Sequence, residues 1–303
     1  MSSPLSATAA APLVALRMAY AAFHPPRSTQ RRRPAQFGLC AEEIAIDVTL
    51  GGVRLSAWLC RADRARVVIL GHGMGLDKSR SLPYASFLHQ AGYTVLLMDF
   101  RNHGDSSQDR SFAGFDRRFA EDVVAVARHV RAMPEFAGAQ LAMYGLSLSS
   151  FAMLRSVARL PGVVGAVVCD SGPACDPPAI SPNLLRSGLL PVPDSMRAAP
   201  ASTVVERVFR LLNHITMGSR DGWPPTPDRP GYATTPMLFI AGGADPVVPA
   251  DEVLRLARPY PRAETLVVPG ATHMRAMWAD QEKYTSTVLE FLDRCLSRTE
   301  TVS

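Results

Sequence analysis

From residue 43 onward, apolar and polar positions follow a pattern whose period changes along the chain. Residues 43–50 and 53–59 alternate with period two, as half-exposed strands do, and Gly51-Gly52 between them predicts a hairpin turn. Residues 66–70 form a short apolar run that ends at Gly71, the pattern of a strand buried on both faces. A helix is predicted over 82–90, a strand over 94–99, and a longer helix over 115–133. In the last, Phe115, Phe119, Val123, Val126, Val130 and Met133 recur on one helical stripe. The same rhythm gives strand 140–144, helix 148–160 and strand 163–169. After a gap come strand 237–241, helix 251–258, strand 264–268 and helix 281–296. A hairpin followed by repeated strand–helix units predicts an α/β fold: a mostly parallel twisted sheet with helices on both faces.

Residues 171–235 interrupt this rhythm. The segment is far too long for an ordinary connection between core strands, it is Pro-rich at both ends, and residues 201–217 carry Val204, Val208, Leu211, Leu212 and Ile215 on one helical side. An inserted cap or lid is expected, lying over the carboxyl edge of the sheet where such sheets bind ligands.

Composition changes this picture mainly at the N-terminus. The chain has 303 residues and a net charge of +5, but residues 1–41 hold Arg17, Arg27, Arg31, Arg32 and Arg33 and no acid. The other 27 basic residues balance the 27 acidic ones, so the body is neutral and a nucleic-acid-binding surface is not expected. The expected organisation is therefore a basic N-terminal extension over 1–41 and one domain over 42–303, with the cap at about 171–235.

Within the extension, residues 7–23 are mostly apolar but broken by Pro12 and Arg17, and no charge precedes them as in a secretory signal. A soluble or loosely docked segment is expected; the alternatives are peripheral contact with an anionic membrane surface and a removed targeting peptide. The expected location is cytoplasmic, with membrane association through this segment as the alternative, and its removal is expected to change localisation more than catalysis. No run of about 18 uninterrupted apolar residues appears. Cys40, Cys60, Cys169, Cys175 and Cys295 show no paired spacing, so inert thiols are expected rather than a disulfide framework or a zinc site.

The candidate chemistry centres on Tyr144-Gly145-Leu146-Ser147-Leu148-Ser149, between a predicted strand and a predicted helix. A sharp turn there would lift Ser147 above the sheet, and it needs small residues two positions before and after, here Gly145 and Ser149. Gly71-His72-Gly73-Met74-Gly75 follows the buried strand, where backbone N–H groups can face a developing oxyanion; the amides of Met74 and Leu148 are the candidates. Asp245 follows strand 237–241, and His273 follows strand 264–268. An imidazole can take the proton of a serine hydroxyl, and a carboxylate fixes its tautomer and stabilises its cation. Asp170, at the end of strand 163–169, is a rival acid, but the Gly-Gly turn and chain order favour Asp245.

These residues make the sequence similar to serine hydrolases of the α/β-hydrolase superfamily, over about residues 43–297. The turn Asp99-Phe100-Arg101-Asn102-His103-Gly104-Asp105-Ser106 and the closing helix near 284–292 add to the likeness, while Ser149 departs from the nucleophile motif. The resemblance implies an α/β-hydrolase fold and relatives among monoacylglycerol-lipase-like and bacterial esterases. Ser147 separates the chain from epoxide hydrolases and haloalkane dehalogenases, which use an aspartate nucleophile. The expected function is cleavage of a carboxylic ester by Ser147, His273 and Asp245 through an acyl-enzyme, with no metal or organic cofactor required. A thioesterase or acyltransferase would use the same triad, and a catalytically silent binding protein on this fold is the reading from another class. The expected partner is a small acyl substrate.

Overall fold

The computed structural model describes residues 4–27, 32–190, 192–217 and 222–297. Among these, eight strands form one sheet: β1 (Glu42–Val48), β2 (Val53–Cys60), β3 (Asp63–Leu70), β4 (Tyr93–Met98), β5 (Gln140–Leu146), β6 (Val164–Asp170), β7 (Met237–Gly242) and β8 (Ala263–Val268). Their spatial order is β1-β2-β4-β3-β5-β6-β7-β8. β2 pairs antiparallel with β1 and β4, and the pairs from β4 through β8 are parallel. The sheet is thus the mostly parallel α/β sheet that the sequence pattern predicts.

The helices are α1 (Pro4–Phe23), α2 (Leu82–Gln90), α3 (Phe115–Ala132), α4 (Leu148–Ser156), α5 (Ser181–Arg186), α6 (Ala201–Met217), α7 (Ala250–Ala257), α8 (Ala276–Ala279) and α9 (Gln281–Leu296). Two apolar cores lie on opposite faces of the sheet. Val67 and Ile69 of β3 join the core with Phe119 and Val123 of α3, Met153 of α4 and Leu256 of α7. Val68 and Leu70 join the core with Leu88 of α2 and Val288 and Phe291 of α9. Successive residues of a strand point to opposite faces, so burial of both faces requires the unbroken apolar run Val67-Val68-Ile69-Leu70.

Several boundaries differ from the sequence pattern, among them the start of β3 at Asp63 and the end of β5 at Leu146. β1 ends at Val48 opposite Val53, so the hairpin loop has four residues, Thr49 to Gly52, closed by the Gly52 N–H donating to the Thr49 carbonyl at 3.1 Å. The helix expected to reach residue 160 ends at Ser156 and continues as a 3-10 turn, Val157–Arg159. The β6–β7 connection carries α5 and α6.

The larger difference is α1, which the sequence pattern does not predict as a helix. Alanine has the highest helix propensity, and Pro12 sits on the exposed side, so the hydrogen bond it removes is lost where water can replace it. Ala7, Ala11, Ala15, Met18, Ala19, Ala22 and Phe23 are buried, and α1 packs along α6. α1 is also the one helix among the described residues apolar and long enough to cross a membrane, with mean hydropathy 1.2 over Ser6–Phe23.

Candidate active site

Ser147 sits between β5 and α4 with φ 55° and ψ −111°, a conformation L-residues rarely adopt. The surrounding packing holds it there. Its N–H donates to the Asp170 carbonyl at 2.8 Å, and a Cβ on Gly145 would lie 2.4 Å from Ser150 Cα and N, so only glycine fits two residues before it. Ser149 is accommodated because Gly71 faces it: a Cβ on Gly71 would lie 2.5 Å from Ser149 Cβ. The Ser149 hydroxyl accepts from the Leu146 N–H at 2.6 Å and donates to the Leu146 carbonyl at 3.0 Å, satisfying its buried oxygen within the turn.

The loops after β7 and β8 bring two further residues to Ser147. His273 Nε2 lies 2.9 Å from Ser147 Oγ, and His273 Nδ1 lies 2.8 Å from Asp245 Oδ2. Asp245 Oδ1 accepts the backbone N–H groups of Val247 and Val248 at 2.8 and 3.0 Å, which fixes the carboxylate. With Nδ1–H donated to Asp245, Nε2 is left as the acceptor for the serine hydroxyl. The two loops are tied together: Gly243 N–H donates to the Val268 carbonyl at 2.8 Å and Ala244 N–H to the Ala271 carbonyl at 2.9 Å.

Met74 and Leu148 line the same cavity as Ser147. Leu148 is the first residue of α4, so its N–H has no carbonyl one turn back within the helix. Two histidines shape the loop that carries Met74, a role the sequence pattern does not reveal beyond their place in Gly-containing turns. His72 Nδ1–H donates to the Gly73 carbonyl at 2.9 Å, and its Nε2 accepts the Phe100 N–H at 3.2 Å. His103 Nδ1–H donates to the Arg101 carbonyl at 2.9 Å, and its Nε2 accepts the Gly75 N–H at 3.3 Å. Both rings must be neutral to accept at Nε2. Burial favours that form, lowering the pKa of His72 and bringing that of His103 to about 3.

Asp170, the rival acid, is fully buried and makes its side-chain hydrogen bonds to residues other than His273. Its Oδ1 accepts the Ser171 hydroxyl at 2.8 Å, and its Oδ2 accepts the Tyr284 hydroxyl at 2.6 Å. Burial raises its pKa to about 6 against the lowering effect of these two bonds. The Ser171 oxygen in turn accepts the Met274 N–H at 2.9 Å, so Asp170 supports the loop next to His273. Ser171 and Met274, like Ser147, have positive φ, at 57° and 56°.

The cavity in front of Ser147 is about 90 Å³. Phe151 of α4, Ile180, Leu184 of α5, Met217 of α6 and Val248 give it an apolar lining, with Ser171 and Asn213 among its polar groups. Phe23 of α1 also lines it. The N-terminal segment, set apart from catalysis by its charge and composition, therefore contributes a wall to the cavity.

A family model described as alpha/beta hydrolase family matches residues 67–285. The chain is 27% identical over 230 residues to the uncharacterised protein Rv2307c of Mycobacterium tuberculosis, covering 74% of this chain and 70% of that protein. Among solved structures it is similar to the Pyrococcus furiosus esterase Pf2001, with TM-score 0.72 and 21% identity over 90% of this chain and 98% of that one. It also resembles an esterase of Thermogutta terrifontis, with TM-score 0.59 and 17% identity over 85% of this chain and 100% of that one. A third likeness is to Est1E of Butyrivibrio proteoclasticus, solved with ferulic acid bound, with TM-score 0.59 and 20% identity over 84% of this chain and 100% of that one.

Proposed function

The chain belongs to the alpha/beta hydrolase family, and on that premise we propose that it is a serine hydrolase that cleaves a carboxylic ester through an acyl-enzyme. The observation that carries this reading is the chain of hydrogen bonds from Ser147 Oγ to His273 Nε2 and from His273 Nδ1 to Asp245 Oδ2. Ser147 Oγ attacks the acyl carbon as its proton passes to His273 Nε2. The carbonyl π pair moves onto oxygen, and the Met74 and Leu148 N–H groups face that oxyanion. When the oxyanion collapses, the C–O bond to the alcohol breaks and His273 returns the proton to the departing alkoxide. Water then attacks the acyl-enzyme with His273 as base, and the acid product leaves Ser147 with its proton restored. Asp245 stays ionised and stabilises the imidazolium formed in each half-reaction.

Labelling with a fluorophosphonate tests the nucleophile. The wild-type chain is expected to label at Ser147 and to hydrolyse p-nitrophenyl esters, and Ser147→Ala to do neither. Labelling of Ser147→Ala at the wild-type rate would refute the assignment. Comparison of oxygen esters with the matching acyl thioesters, with and without an added acceptor alcohol, separates ester hydrolysis from thioesterase and acyltransferase activity.

A further inference from the structure

We propose that α1 is a wall of the acyl pocket and that Phe23 is a specificity-determining residue that limits the length of the acyl chain; this rests on the reading of Ser147 as the nucleophile. The buried alanines of α1 recur three or four residues apart, so they share one face, and side chains no larger than a methyl let α1 approach α6 closely. At the C-terminal end of that face the stripe changes from alanine to phenylalanine. The Phe23 ring is 1% exposed and lines the same cavity as Ser147, Met74 and Met217. It stacks on Phe115 with ring centroids 4.5 Å apart and 6° between planes, and it lies 6.0 Å from Phe119.

Three contacts hold the chain just beyond Phe23 to the body of the protein. His24 Nε2 faces the Asp109 carbonyl at 2.8 Å, and Arg27 Nη2 donates to the Ser106 carbonyl at 2.7 Å. Pro25 lies over the loop of Met74, its Cβ 4.0 Å from where a Cβ on Gly75 would be. The N-terminal segment thus runs from the cap helix α6 across to the loops around Ser147. Phe23 is wedged between α3 and the cavity, so the wall it forms is fixed. A fixed aromatic wall on a cavity of about 90 Å³ selects an ester with a short apolar acyl group.

The test is the chain-length profile of kcat/KM for p-nitrophenyl butanoate, octanoate and dodecanoate with the full chain. Phe23→Ala and Phe23→Leu are compared with wild type, Phe23→Leu keeping most of the packing volume and cooperative urea unfolding showing that each variant is folded. A methylene admitted or refused by an apolar pocket changes kcat/KM by about 10-fold or more. The octanoate-to-butanoate ratio is therefore expected to rise at least about 10-fold in Phe23→Ala and by less in Phe23→Leu. Leu16→Ser, on the exposed face of α1, is expected to leave it unchanged. A ratio within about twofold of wild type in both folded Phe23 variants would overturn the proposal. Binding of butanoate and octanoate to Ser147→Ala, with and without Phe23→Ala, reads the wall independently of turnover. If the wild type hydrolyses no ester, the reading of Ser147 fails; a selective gain in octanoate affinity then still supports the wall, and an unchanged ratio of affinities rejects it.

Discussion

At the scale of single residues, the site is defined by which carboxylate reaches which ring nitrogen. Asp170 ends β6 and Asp245 follows β7 at the same edge of the sheet, but only Asp245 accepts from His273 Nδ1, while Asp170 is occupied by Tyr284 and Ser171. Exchanging the Asp245 carboxylate for an amide removes the anion that favours the imidazolium and offers an N–H where Nδ1–H needs an acceptor. Asp245→Asn is accordingly expected to lower kcat for ester hydrolysis by about 10³–10⁴-fold. Asp170→Asn, which acts through the Met274 loop, is expected to cost less than about 10-fold, because a supporting group two bonds removed leaves the Nδ1 partner in place. Steady-state kinetics of the two variants at one pH decides between them, and equal losses would remove the distinction. Both acids were legible from their positions after apolar strands; that Asp170 pairs with Tyr284, 114 residues away, was not.

At the scale of elements, α1 and α6 form a unit whose closeness depends on alanine. Ala15 is fully buried on the α1 face toward α6, so Ala15→Leu inserts three heavy atoms where neighbours already touch. This is expected to destabilise the fold by about 1–3 kcal/mol in urea unfolding. Leu13→Ala, at a position 61% exposed, should change stability by no more than about 0.5 kcal/mol. If both substitutions are neutral, α1 is not packed as described. The core strands and helices could be read from periodicity because each repeats its apolar positions against the sheet. α1 could not, because a run of alanines interrupted by Pro12 carries no contrast between its two faces, and its partner α6 is almost 200 residues away.

At the scale of the whole molecule, buried titratable groups set the response to acid. His72 and His103 are held neutral, the latter with a pKa of about 3, whereas the unfolded chain protonates histidine near pH 6.5. Between those values the unfolded state binds more protons, so stability falls as pH drops below about 6.5. Asp170 acts in the opposite sense: its folded pKa of about 6 lies above the unfolded value, so its contribution is lost as pH rises through about 4 to 6. Asp122, buried beside Arg101, is raised to about 6 by burial in the same way. Two carboxyls therefore oppose two histidines between about pH 4 and 6, and the histidine contribution is isolated by removing one ring. His103→Asn keeps a donor for the Arg101 carbonyl and removes the titration, so the slope of unfolding free energy against pH should be smaller than in the wild type by about 1.4 kcal/mol per pH unit below pH 6. Urea unfolding at pH 5, 6 and 7 measures this, and parallel slopes in the two proteins would contradict it.

The +5 charge is carried by the N-terminal segment, and composition by itself sets that segment apart from the neutral body. By itself the sequence determined the α/β class, the edge of the sheet where chemistry gathers, and Ser147, Asp245 and His273 as candidates. Those features depend on local period and on residues at strand ends. Only the tertiary structure decided that a charge-distinct segment packs on α6 and turns Phe23 into the cavity of Ser147. It also decided that two histidines hold the loop carrying Met74. These are contacts between elements far apart in the chain, fixed by shape and burial, and local pattern carries no record of them.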